Sequence, residues 1–71
     1  MFQDIYKRIG FNLLKERRLK GWTQEQLAEK SGVSRSRISK IEHGKENFYI
    51  ESLFLLAQSL EIDFRELFNE G

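Results

Sequence analysis

Apolar residues recur along this chain at steps of three and four, the spacing that gathers side chains on one face of an α-helix; no segment alternates as a half-buried strand would. Ile5, Ile9 and Leu13 form a first stripe. Lys15, Arg17, Arg18 and Lys20 then crowd the turn before Gly21, where cations oppose the negative end of a helix dipole. The spacing predicts a helix from about Asp4 to Leu19. Thr23-Gln24-Glu25-Gln26 has the form of a capping box, so a second helix begins at Thr23, turns Leu27 and Ala28 inward, and stops near Ser31-Gly32. Ser34 is placed to cap a third helix, which carries Ile38 and Ile41 and ends at His43-Gly44. After a loop from Lys45 to about Phe48, segment 50–60 sets Ile50, Leu53, Phe54, Leu56, Ala57 and Leu60 on one broad face. Asp63 caps a last short helix with Phe64, Leu67 and Phe68. The expectation is an all-α fold of five helices in a single domain over residues 1–71, with no internal repeat or linker.

Composition narrows the chemistry. The 71 residues include no cysteine, which removes disulfides and thiolate metal sites and leaves stability to a small packed core. Such a core gains from oligomerisation. No run approaches the roughly 20 apolar residues of a membrane helix, and no signal-peptide pattern opens the chain, so a soluble cytoplasmic protein without membrane contact is expected. The net charge of +1 conceals a division: residues 1–45 carry +6 and residues 46–71 carry −5. A basic face for an anionic partner, with an acidic end held away from it, fits that asymmetry. Glu46, Glu51, Glu61, Glu66 and Glu70 read as a solvated face. His43 is the one histidine, placed as a helix C-cap or a phosphate neighbour. No nucleophile–base pair, metal cluster or phosphate-cradling glycine loop is present, so an enzyme, a cofactor, a metal site and a small-molecule ligand are not expected.

The informative block runs from Thr23 to Gly44, TQEQLAEKSGVSRSRISKIEHG. Two short helices joined by a tight turn containing Gly32 form a helix-turn-helix, the arrangement whose second helix enters the DNA major groove. Ala28 is small where the helices cross, Gly32 permits a positive φ, and Val33 plugs the turn into the core. With Ile38 and Ile41 directed inward, Ser34, Arg35, Ser36, Arg37, Ser39 and Lys40 are left, with no carboxylate among them. Serine is a mediocre helix former, whereas short serines and long arginines suit a surface that approaches a groove. Arginine can take guanine O6 and N7 together, and serine can contact bases or phosphates.

These residues resemble the Cro/C1-type helix-turn-helix family of phage repressors and small bacterial regulators. The matching string is Gly21-Trp22-Thr23-Gln24-Glu25-Gln26-Leu27-Ala28, then Ser31-Gly32-Val33-Ser34, then Ile38-Ser39-Lys40-Ile41-Glu42-His43-Gly44; Ile9-Gly10 upstream and Leu53, Leu56, Ala57 and Leu60 downstream also fit. The resemblance implies a lambda-repressor-like five-helix DNA-binding domain, with the motif over about 23–42 and dimerisation helices over about 50–68. It implies that Gln24 donates to a phosphate and braces the recognition helix, and that Arg35 and Ser36 read bases. Ser34, Arg37, Ser39 and Lys40 would contact bases or flanking backbone, and Lys45 a phosphate. Arg17 and Glu42 match a buried or semi-buried ion pair. Trp22 stands where a smaller apolar residue is usual. Phe11 and Leu14 stand where the family often carries charge, with segment 2–6 available to cover them.

Six phenylalanines are many for this length. Phe48, Tyr49, Phe54, Phe64 and Phe68 exceed what so small a core hides, and exposed aromatics mark interfaces, so a homodimer through the last two helices is expected. Double-stranded DNA is then the expected partner, read on a palindromic operator. So small a protein resembles Cro-like repressors and the controller proteins of restriction–modification systems, and the run Asn47-Phe48-Tyr49-Ile50 followed by Leu67-Phe68 leans toward the controllers. The alternative is a protein-interaction or antitoxin-like module built on the same fold.

Overall fold

The computed structural model of the protein describes residues 2–45 and 50–70. Helix α1 spans Phe2–Lys20 and stops where Gly21, at φ 77°, turns the chain aside and bonds Arg18 O from its N–H at 2.9 Å. Helix α2 spans Gln24–Ser31. Its Thr23 cap accepts from the Gln26 N–H while the Gln26 side chain accepts from the Thr23 N–H, a complete capping box. It ends at Gly32, whose φ of 81° lies in the left-handed region that glycine occupies without strain. Helix α3, Arg35–Glu42, starts from Ser34, whose hydroxyl accepts from the Arg37 N–H at 3.1 Å, and closes on His43. Helix α4 covers Ile50–Leu60.

The last element differs from the expected fifth α-helix. Phe64–Phe68 is a single 3-10 helix, with Glu66 N–H bonding Asp63 O and Asn69 N–H bonding Glu66 O. Its tight winding has a visible partner: the buried Asn12 amide on α1 donates to the carbonyls of Leu67 at 2.9 Å and Asn69 at 2.7 Å. Those oxygens are therefore satisfied across the fold and not by a following helical turn. Among the described residues there is no strand, so the fold is all-α with four α-helices and this closing turn.

The core gathers one or more residues from every element: Ile9 and Leu13 of α1, Leu27 of α2, Val33 of the turn, Ile38 and Ile41 of α3, four residues of α4, and Leu67. Helix α1 packs against α3 and the 3-10 helix, and α2 packs against α3 and α4. At the α1–α3 crossing the backbones nearly touch, since a Cβ on Gly10 would lie 2.3 Å from the Ile41 carbonyl oxygen. Ile5 sits at the worn end of the α1 stripe and is partly exposed. The broad apolar face expected of α4 is in fact two. Leu53, Leu56, Ala57 and Leu60 are buried, together with Ser52, whereas Ile50 and Phe54 remain 55 % and 53 % exposed. An eleven-residue helix this rich in apolar side chains carries more than one stripe can bury.

Candidate nucleic-acid interface

Helix α3 is held from behind and at its end before any partner is considered. Ile38 and Ile41 are buried beneath it, and Val33 fills the turn in front. At its C-terminus Glu42, with a side chain only 4 % exposed, takes both Nε (2.6 Å) and Nη2 (2.9 Å) of Arg17 in a two-pronged ion pair. Arg17 also donates Nη1 to the Trp22 carbonyl at 2.8 Å, and Gln24 donates Nε2 to Glu42 at 2.9 Å. The end of α1 and the first turn of α2 thus meet the end of α3 on one carboxylate, and Arg17 ties in the loop before α2. The hydrogen bond to Glu42 raises the Arg17 pKa above its usual value, against the opposing effect of burial.

The outer face is left open. Arg35, Ser36 and Lys40 are exposed and form no side-chain hydrogen bond or ion pair with other described residues. Ser34 is also exposed, but its hydroxyl is engaged as the N-cap of α3. Arg37 is exposed as a residue, yet its Nη1 donates at 3.1 Å to the buried Ser52 hydroxyl, which ties α3 to α4. Ser39 is half-buried. His43 follows one turn later, and its Nδ1 lies 2.7 Å from the Ser39 carbonyl oxygen; because a carbonyl only accepts, that nitrogen carries the proton. Lys45 lies exposed just past the helix, and Gln24 is half-buried at the start of α2. By helical periodicity Arg35, Ser36, Ser39 and Lys40 form a band of cations and hydroxyls on the side of α3 away from Ile38 and Ile41. Trp22 packs partly into the core, with Lys30 Nζ 4.8 Å and Lys20 Nζ 5.8 Å from its ring, and is not part of that band.

The expected dimer face divides differently. Phe54 stacks on Phe64 with centroids 4.1 Å apart, and Phe64 meets Phe68 edge-on at 5.1 Å. Phe64 and Phe68 are partly buried against the core, so Phe54, with Ile50 and Leu55, makes up the exposed portion. Phe48 and Tyr49 lie outside the described residues. Sequence reasoning passed over Ser52 and Asn12, polar residues that are buried in the fold. The available signal was a polar residue standing inside an apolar stripe: Ser52 shares its face with Leu56 and Leu60, and Asn12 sits between Ile9 and Leu13.

The model of the helix-turn-helix family matches residues 13–67. The chain belongs to the Cro/C1-type helix-turn-helix family. Within it, the chain is similar to an uncharacterised helix-turn-helix-type transcriptional regulator, y4dJ, of Sinorhizobium fredii, 39 % identical over 64 residues that cover 90 % of this chain and 83 % of the relative. Its backbone is similar to the restriction–modification controller protein C.AhdI from Aeromonas hydrophila, with a TM-score of 0.86 and 36 % identity over 93 % of this chain and 96 % of that one. It is also similar to the controller protein C.Esp1396I, solved as a tetramer on its natural 35-base-pair operator, with a TM-score of 0.76 and 36 % identity over 92 % and 96 % of the two chains. No helix among the described residues is long and apolar enough to cross a membrane.

Proposed function

We propose that the protein is a sequence-specific DNA-binding regulator of transcription, a homodimer that sets α3 of each protomer into the major groove of a roughly palindromic operator. One observation carries this reading. Arg35, Ser36 and Lys40 stand exposed, without a partner among the described residues, on a helix whose back and end are fixed by Ile38, Ile41 and the Arg17–Glu42–Gln24 cluster. Donors held ready on a rigid support suit readout of base edges, since ordering them at binding then costs little. In this reading Arg35 and Ser36 contact bases. Arg37, Ser39 and Lys40 contact bases or flanking backbone, and Ser34, Gln24 and Lys45 lie along phosphates. The operator complex of C.Esp1396I supports DNA as the partner.

The exposed Phe54, Ile50 and Leu55 support pairing through α4, which would present two recognition helices about 34 Å apart, one turn of B-DNA. Binding-site selection from random DNA, followed by mobility shifts at several salt concentrations, tests the whole reading. A symmetric consensus bound in a salt-dependent way is the expected result. Equal binding to all sequences, or none, would overturn it.

A further inference from the structure

The outward side of α1 carries a surface that neither the core nor the recognition helix uses. Phe11, Leu14, Lys15, Arg18 and Leu19 fall at i, i+3, i+4, i+7 and i+8 and bound one shallow apolar cleft of about 340 Å³. Phe11 is 60 % exposed and Leu19 75 % exposed. Lys15 and Arg18 form no ion pair with a described residue, and no carboxylate lines the cleft among the described residues. Helix α3 packs on the Gly10 and Arg17 side of α1, leaving this stripe on a different side.

We propose that this stripe is a docking surface for an acidic amphipathic helix of a partner protein, its apolar residues seated between Phe11, Leu14 and Leu19 and its carboxylates on Lys15 and Arg18. Charge decides the occupant. A second copy placed back to back would set Lys15 and Arg18 against their own duplicates, a like-charge juxtaposition that disfavours the pair. The acidic half of another copy is a poor candidate too, because its exposed Ile50, Phe54 and Leu55 are the face assigned above to the symmetric dimer. Duplex DNA would answer the two cations but leave Phe11 and Leu19 without apolar contact. A helix with an apolar stripe and flanking carboxylates satisfies all five side chains at once.

The test is an amide-resolved NMR titration of the full-length protein. The probe is a synthetic helical peptide of about 15 residues with leucines at i, i+4 and i+7 and glutamates beside them. Saturable shifts below about 1 mM are expected on residues 11–19 and not on 35–42, with operator binding unchanged. Phe11→Ser and the double variant Lys15→Glu/Arg18→Glu should each weaken the peptide by about tenfold or more. Phe11 and Arg18 are exposed and Lys15 is partly exposed, and an unaltered melting curve certifies the fold. The proposal fails if the peptide does not saturate, if the shifts centre on α3, if Phe11→Ser binds equally well, or if a peptide with lysines for glutamates does. It fails as well if phosphatidylglycerol-containing vesicles co-sediment the protein in a Phe11-dependent way while the peptide is ignored, since the stripe would then face a membrane surface.

Discussion

At Gly10 the constraint on side-chain size is set by main chain alone: an added Cβ would meet the carbonyl oxygens of Ile41 at 2.3 Å and Glu42 at 2.9 Å. Neither oxygen belongs to a flexible side chain, so Gly10→Ala must push α3 off α1. A loss of about 1–3 kcal/mol is expected, read as a lower urea midpoint. Glu42→Ala should cost about 3 kcal/mol, because it strands the Arg17 guanidinium and one Gln24 donor where both had been satisfied. Chemical denaturation measures that loss, and an unchanged midpoint would show that the cluster fixes geometry without adding stability. On the outer face the expected effects are on binding. Arg35→Ala should cost about 1–3 kcal/mol and relax preference at one base position, while Lys45→Ala should weaken all sequences alike and lower the salt slope by about one. Fluorescence titrations across salt and operator variants separate the two patterns; identical behaviour would refute the division into reader and positioner.

At the scale of elements, α1 to α4 are legible because each carries a periodic stripe and the first three carry start or stop signals. The capping box at Thr23, the Ser34 cap and the stops at Gly21 and Gly32 act within a few residues of the chain, where sequence spacing and spatial contact coincide. What was not legible depends on distant partners. The end of the 3-10 helix is bonded by Asn12 of α1, and the bond from Arg37 goes to a serine of α4. The division of α4 into buried and exposed stripes is set by which neighbours pack on it. The 3-10 helix also has a pH signature. Asp63 accepts from the Arg65 side chain and N–H, which holds its carboxyl down from 3.8 to about 2. A depressed folded-state value means that its stabilising contribution is present above 3.8 and is lost as pH falls toward 2. Carbon-detected NMR should place the Asp63 midpoint near 2, and Arg65→Ala should move it upward. A wild-type midpoint at 3.8 would contradict the contact.

For the whole molecule, the division of charge matches the division of labour. The basic part contains α1 to α3 and the reading face, and the acidic part contains α4 and the exposed Phe54. In the proposed dimer, an acidic surface held away from phosphate would let two protomers pair without repelling DNA. Phe54→Lys should leave the helices intact, since the ring is already half exposed, but yield monomers at roughly tens of micromolar in sedimentation and weaken binding to a two-half-site operator. A dimer that survives this change would move the interface elsewhere. Of the candidate site, the exposure of the outer face was legible once Ile38 and Ile41 are turned inward; the bond from Arg37 was not, because Ser52 lies fifteen residues further on.

The Asn12 clamp bears on how the protein is made. Its amide waits on acceptors 55 and 57 residues later in the chain, so during synthesis the two ends of that contact are added roughly 3–11 s apart at ordinary elongation rates. Until Leu67 has left the ribosome, the Asn12 amide lacks both of its carbonyl partners. In the nascent chain this contact can form only after residues 67 and 69 have been added. A polypeptide cut short before residue 67 would carry the helix-turn-helix motif without this latch, and faster proteolysis than that of the intact chain is the expected outcome.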